Sequence, residues 1–119
     1  MEEPQYARYR WSDVREEEMA PNLLRQIITG DSMMMARFQM EAGQVVPAHS
    51  HENEQITMVV EGVLRFWLGG GDSGVVDLGP GEILHVPSDV LHKAEALERT
   101  VTFDIFSPPR EDWLEGDDS

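Results

Sequence analysis

Cysteine is absent from the sequence, so no disulfide can staple the fold, and any bound metal must rest on nitrogen and oxygen donors. Basic residues are scarce: 9 Lys and Arg stand against 23 Asp and Glu, a formal charge of -14. A surface of that sign repels phosphate backbones and argues against nucleic-acid binding. No basic amphipathic stretch is present to lie on a membrane, and no apolar run approaches the ~20 residues that cross one. The opening residues, MEEPQYARYR, lack the apolar core of a secretory leader, so the expected location is the cytoplasm. Helical pattern is equally thin. Only residues 11–21 (WSDVREEEMAP) offer a helical turn or two, which Pro21 would end.

What the chain does have is dense punctuation by Gly and Pro: Gly30, Gly43, Pro47, Gly62, GGGDSG (69–74), GPG (79–81), Pro87 and SPP (107–109). Between these lie short segments that alternate or are rich in β-branched and aromatic residues. In MMARFQM, Met34, Ala36, Phe38 and Met40 share one face. VLRFWL (63–68), GVVDL (74–78), EILHV (82–86) and TVTFDIF (100–106) have the same length and flavour. Many short strands at near-regular spacing imply an all-β antiparallel sandwich or barrel. At 119 residues with 40% hydrophobic content, one domain with its own core is expected over residues 1–119. Residues 1–22 read as an N-terminal extension and 115–119 as a flexible acidic tail. The acidic run Glu16 to Glu18 reads as a solvated face, and Trp11, Trp67 and Trp113 as packing residues.

Two of the four histidines, His49 and His51, stand two apart in PAHSHENEQITMVVEG (47–62). If 45–51 and 55–60 are strands, parity puts both imidazoles on one side, where they could chelate a metal together. Gln55 and Thr57 then share a face of the next strand, and His92 follows in PSDVLHKAEA. The pair alone leaves a metal site and a pair of hydrogen-bonded polar residues both open. His85, in EILHVP, has no partner pattern and receives no role.

The surrounding spacing is more specific. GQVVPAHSHENEQITMVVEG has Gly43, five residues, His49-x-His51, an amide four residues on at Gln55, and Gly62. GEILHVPSDVLH has Gly81, five residues, Pro87, a turn residue at Asp89, and His92. These runs resemble the two linked motifs of the cupin superfamily, and the resemblance covers the chain from about residue 30 onward. It implies a conserved β-barrel of jelly-roll type, a homodimer, and one divalent metal held by His49, His51, Gln55 and His92. That donor set accepts Mn, Fe, Co, Ni, Cu or Zn. The common fourth ligand in such motifs is Glu; here it is Gln55, with Glu54 beside it at opposite parity and able to reach the site only through a bulge. A neutral Gln leaves the full dipositive charge on the metal and favours Lewis-acid chemistry.

The last strand carries a second group. Parity in TVTFDIFSPPREDWL (100–114) sets Thr102, Asp104 and Phe106 on one face and Val101, Phe103 and Ile105, read as packing residues, on the other. An unpaired carboxylate on a buriable strand is costly, so Asp104 needs a partner. Arg110, just past Pro108-Pro109, is the candidate, either in a structural ion pair or as a functional residue facing the metal. DIFSPPREDWL is similar to the C-terminal segment of the KdgF-type cupins, which ketonise 4,5-unsaturated uronates from pectin or alginate. That resemblance implies catalytic roles for Asp104, Phe106 and Arg110, and a small anionic sugar acid as substrate. Asp104 would then move a proton and Arg110 would hold a carboxylate. Two alternatives remain: a dioxygenase of the quercetinase type, and a non-catalytic metal- or sugar-binding cupin. For a dimer, the N-terminal segment with Tyr6, Tyr9 and Trp11 is the expected cover for exposed sheet edges.

Overall fold

The alternation in residues 34–40 becomes a strand because Met34, Ala36 and Met40 bury along one side while Met35 faces out. The computed structural model describes residues 5–70 and 74–114; the expected acidic tail at 115–119 lies outside them. Ten strands follow in order: β1 (Glu17–Ala20), β2 (Leu23–Thr29), β3 (Met34–Met40), β4 (Val45–His49), β5 (Glu54–Glu61), β6 (Leu64–Leu68), β7 (Val75–Leu78), β8 (Ile83–Val86), β9 (His92–Ala96) and β10 (Thr100–Ser107). A short helix, α1 (Glu111–Leu114), closes the described chain. No helix among the described residues is long and apolar enough to cross a membrane.

Every strand pairing among the described residues is antiparallel, as expected of a jelly roll. Closure differs from the expectation of a barrel. The ladders form two open sheets, β1-β2-β3-β10-β5-β8 and β4-β9-β6-β7, joined by side-chain packing. Met40, Val59, Leu64, Phe66, Leu78, Ala94 and Ala96 fill the space between them. The last of these ten strands, β10, is inserted between β3 and β5. Gly62, at φ 88°, lets the turn after β5 lie against the start of β10; a Cβ there would strike the Arg99 carbonyl oxygen.

The N-terminal region departs from its reading. Only Trp11–Asp13 coils, as a single 3-10 turn, and Glu17–Ala20 is an edge strand against β2. Gln26 draws the intervening chain into an extended path by donating from Nε2 to the Trp11 and Val14 carbonyls, at 2.6 and 2.9 Å. Glu17 is no solvated bystander, since its Oε1 accepts from Nε of the buried Arg25 at 3.1 Å. Trp11 stacks on Phe103 with ring centroids 5.8 Å apart, covering the outer side of β10. Tyr6 and Tyr9 are exposed.

Candidate metal centre and acid pocket

Antiparallel register, more than strand parity, assembles the histidines. His49 ends β4 and is the direct cross-strand partner of His92, which begins β9. His51 lies beyond the end of β4, where the expected strand to residue 51 does not continue. It is brought back by a turn in which its carbonyl accepts the Asp89 N–H at 2.8 Å. Asp89 adopts φ 65°, a left-handed conformation that Asp tolerates better than most residues. Ring centroids stand 4.3 Å apart for His49–His92, 5.0 Å for His51–His92 and 5.5 Å for His49–His51. One ring nitrogen from each lies within 4.8 Å of the other two.

Each ring is oriented by the same local device. Nδ1–H donates to a backbone carbonyl two residues away: His49 to Pro47, His51 to Asn53 and His92 to Val90, all at 2.9 Å. That choice of tautomer leaves every Nε2 as a lone pair. Burial pushes the His92 pKa down to about 4, and burial with the nearby Arg110 charge lowers that of His51. Both rings are therefore neutral near pH 7, the form in which imidazole binds metals.

Gln55, on the inner face of β5, donates from Nε2 to Thr57 Oγ1 at 2.8 Å, which turns its Oε1 toward His51 Nε2 at 3.0 Å. With the His51 proton spent on Asn53, two acceptor atoms face each other at contact distance. A shared cation relieves that opposition, so the donor set fits a divalent ion. Glu54 does not reach the site. It lies on the outer face of β5, where His85 Nε2 donates to its Oε2 at 2.6 Å, so the bulge alternative fails and His85 gains a surface partner.

Asp104 turns inward with Thr102 and Phe106, all three buried. Of the set on the opposite face, Val101 is buried, Phe103 packs under Trp11 and Ile105 is exposed. Register sets Asp104 opposite Thr57 and Phe106 opposite Gln55. Thr102 Oγ1 donates to Asp104 Oδ1 at 2.8 Å and Thr57 Oγ1 donates to Oδ2 at 3.1 Å, with Gln55 Nε2 a further 3.3 Å donor. Burial outweighs the two hydroxyls and pushes the Asp104 pKa up to about 7.

The structural Asp104–Arg110 ion pair is not formed. Arg110 donates from Nε and Nη2 to Asp112 Oδ1 and Oδ2, at 3.1 and 2.9 Å, because α1 folds Asp112 back onto it. Its guanidinium carbon lies 4.2 Å from the Trp113 ring centroid and 5.6 Å from that of Phe106. Asn53, unremarked in the sequence, pins this segment by donating from Nδ2 to the Pro108 carbonyl at 2.6 Å and the Pro109 carbonyl at 3.2 Å. A cavity of about 190 Å³ joins the two groups: His49, His92, Gln55, Asp104, Arg110 and Trp113 line one part of it. Arg25 and the apolar Leu23, Phe38, Met40, Val46, Leu64 and Phe66 are also in its lining. Trp113 thus packs edge-on against Phe38 and Phe106, as a packing residue should, while also forming cavity wall.

Residues 36–106 match the family model for the Cupin domain. The chain belongs to the cupin family. Among solved structures, this cupin is similar to KdgF from Halomonas sp., with 28% sequence identity, a TM-score of 0.84, and 92% of this chain and 100% of that one covered. An RmlC-like cupin from Shewanella frigidimarina shows 25% identity and a TM-score of 0.82 over 92% of this chain and 96% of that one. Oxalate decarboxylase from Lactobacillus farciminis shares the fold, at 16% identity and a TM-score of 0.79, over 98% of this cupin and 39% of the decarboxylase. No curated protein matches the sequence.

Proposed function

We propose that this cupin is a metal-dependent enzyme that ketonises a 4,5-unsaturated uronate to a 5-keto-4-deoxyuronate. The observation that carries the reading is Asp104: a buried carboxyl, its pKa pushed up by burial to about 7 in the metal-free protein, sharing one cavity with His49 and His92 of the three-histidine cluster. The similarity to KdgF supports it. Ring opening of such a sugar leaves an enol with its hydroxyl on C5 and a double bond to C4. Ketonisation adds a proton at C4 and removes one from the C5 oxygen, a net isomerisation. A divalent ion held by His49, His51, His92 and Gln55 would supply Lewis acidity toward substrate oxygens.

Asp104 is the proton donor to C4. A carboxyl that titrates near neutrality holds a proton ready and still gives it up, which is the balance general acid catalysis needs. Once ionised, it is stabilised by the Thr57 and Thr102 hydroxyls that point at its two oxygens. Phe106 and Trp113 add apolar wall to the same cavity, and Arg110, packed on both rings, contributes positive charge that favours an anionic sugar. The test is loss of ultraviolet absorbance of unsaturated galacturonate with metal-loaded protein. Turnover that Asp104→Asn reduces while metal content stays supports the proposal; no turnover by the wild type overturns it.

The apolar wall from Leu23 to Phe66 favours a second reading, a dioxygenase acting on an aromatic substrate. Consumption of a flavonol, with none of the unsaturated uronate, would select it.

A further inference from the structure

A charged residue sits in the middle of the apolar strand β2. Arg25 pairs in register with Glu17 on one side and Phe38 on the other, and its side chain is only 6% exposed. Nε donates to Glu17 Oε1 at 3.1 Å, and the guanidinium carbon lies 4.6 Å from the Trp113 ring centroid. Among the described residues, Nη1 and Nη2 have no protein acceptor. No buried side-chain nitrogen or oxygen atom in the described structure lacks a partner, so these two groups must open onto space. Arg25 is also among the residues that line the cavity, together with His49, His92 and Asp104.

Arg110 shares the same indole but not the same freedom. Its Nε and Nη2 are already engaged, two bonds deep, with Asp112. Of the two guanidiniums in the cavity, Arg25 is the one with an open Nη1/Nη2 edge, the edge that takes a carboxylate in two parallel bonds.

We propose that Arg25 is the anchor for the substrate carboxylate, with Glu17 and Trp113 holding its guanidinium in place. The proposal rests on the uronate reading above and names the residue that selects the acid over a neutral sugar. In a uronate the carboxylate carbon is bonded to C5, so gripping it also fixes the C4–C5 bond that receives the proton.

Two measurements on metal-loaded protein test this. Calorimetric titration with galacturonate and with galactose, which differ by the carboxylate, reports binding; unsaturated galacturonate consumption reports KM and kcat. Arg25→Gln is expected to weaken galacturonate binding and raise KM by about 10- to 100-fold, leave galactose unchanged and change kcat less. Arg25→Lys should recover part of the loss, because it restores charge without the fork. A purely structural Glu17–Arg25 pair would instead make Arg25→Gln lose galactose and galacturonate binding alike, which would overturn the anchor. Should Arg25→Gln not fold, the side-chain Nε–H signal of Arg25 in wild-type protein, assigned with Arg25→Lys, must shift with galacturonate and not with galactose. Turnover whose KM is indifferent to Arg25→Gln overturns the anchor and leaves the uronate reading standing. Galacturonate binding that needs Arg25, without turnover, overturns the uronate reading and leaves the anchor. Neither binding nor turnover in the wild type overturns both.

Discussion

One face of one strand holds both characters of this protein. Along the inner side of β5, Gln55, Thr57 and Val59 are 5%, 0% and 0% exposed, yet the first two serve the polar pocket and the third the apolar core. Burial is the same at both ends of the interior; what changes is how polar atoms are satisfied. At the apolar end dispersion and loss of water contact are enough. At the polar end each buried group needs a partner, and Gln55 to Thr57 to Asp104 forms a chain that supplies them. The carboxyl at its end still titrates far above its ordinary range, so the hydrogen bonds do not fully offset its desolvation. The core end stabilises the fold, and the pocket end draws on that stability.

The largest effect should come from His51→Ala, which removes one of three converging rings. Stoichiometric metal and all turnover should vanish, by elemental analysis and the ultraviolet assay, while circular dichroism stays that of a folded β-protein. Asp104→Asn should cut turnover by about 10²-fold or more with metal content unchanged. The same substitution should stabilise the metal-free protein at pH 8 by about 1–3 kcal/mol, since it removes a buried charge. Both outcomes together would sharpen the contrast between the ends; destabilisation at pH 8 would break it. Leu64→Ala, at the apolar end, should destabilise by about 2–4 kcal/mol in denaturant unfolding and leave metal stoichiometry intact.

The smallest effect is a pH dependence that hides itself. In metal-free protein, the depressed His92 pKa contributes stability that is present above pH 6.5 and lost as pH falls through about 4. The raised Asp104 pKa contributes in the opposite sense, present below pH 3.8 and lost as pH rises through about 7. Between pH 4 and 6.5 the two slopes oppose each other. Asp104→Asn should remove one of them, so that stability of the variant falls on acidification across that window more steeply than in the wild type. Equal slopes in thermal melts of the two proteins would contradict the assignment.

Much of this was legible because period and spacing survive folding. The two-residue period of 34–40 and 100–106 places Met34 and Asp104 inward, and the two His-bearing runs mark the residues that the fold brings together. The edge strand Glu17–Ala20 was not legible, because its order comes from Gln26 and Arg25 on the neighbouring strand rather than from its own pattern. Nor was the partner of Arg110. The distance from Arg110 to Asp112 is trivial in sequence, but only the turn into α1 decides that this carboxylate, and not Asp104, receives the guanidinium. Asn53 and Arg25 gave different signals. Asn53 gave none, whereas an arginine in the middle of the apolar run 23–29 was a signal that could have been read.

The place of β10 between β3 and β5 sets a clock on the protein. Synthesis runs from the N-terminus, so β3 and β5 both leave the ribosome before the strand that separates them in the sheet exists. Until residues 100–107 arrive, neither can find its final neighbour on that side, and any ladder the two form directly must come apart again. Long-range pairing of this kind folds slowly. Asp104 rides on that late strand, so the acid enters the pocket only when the six-stranded sheet is completed. A nascent chain has its three histidines once residue 92 has emerged, but Asp104 joins them only when β10 fills the middle of the sheet.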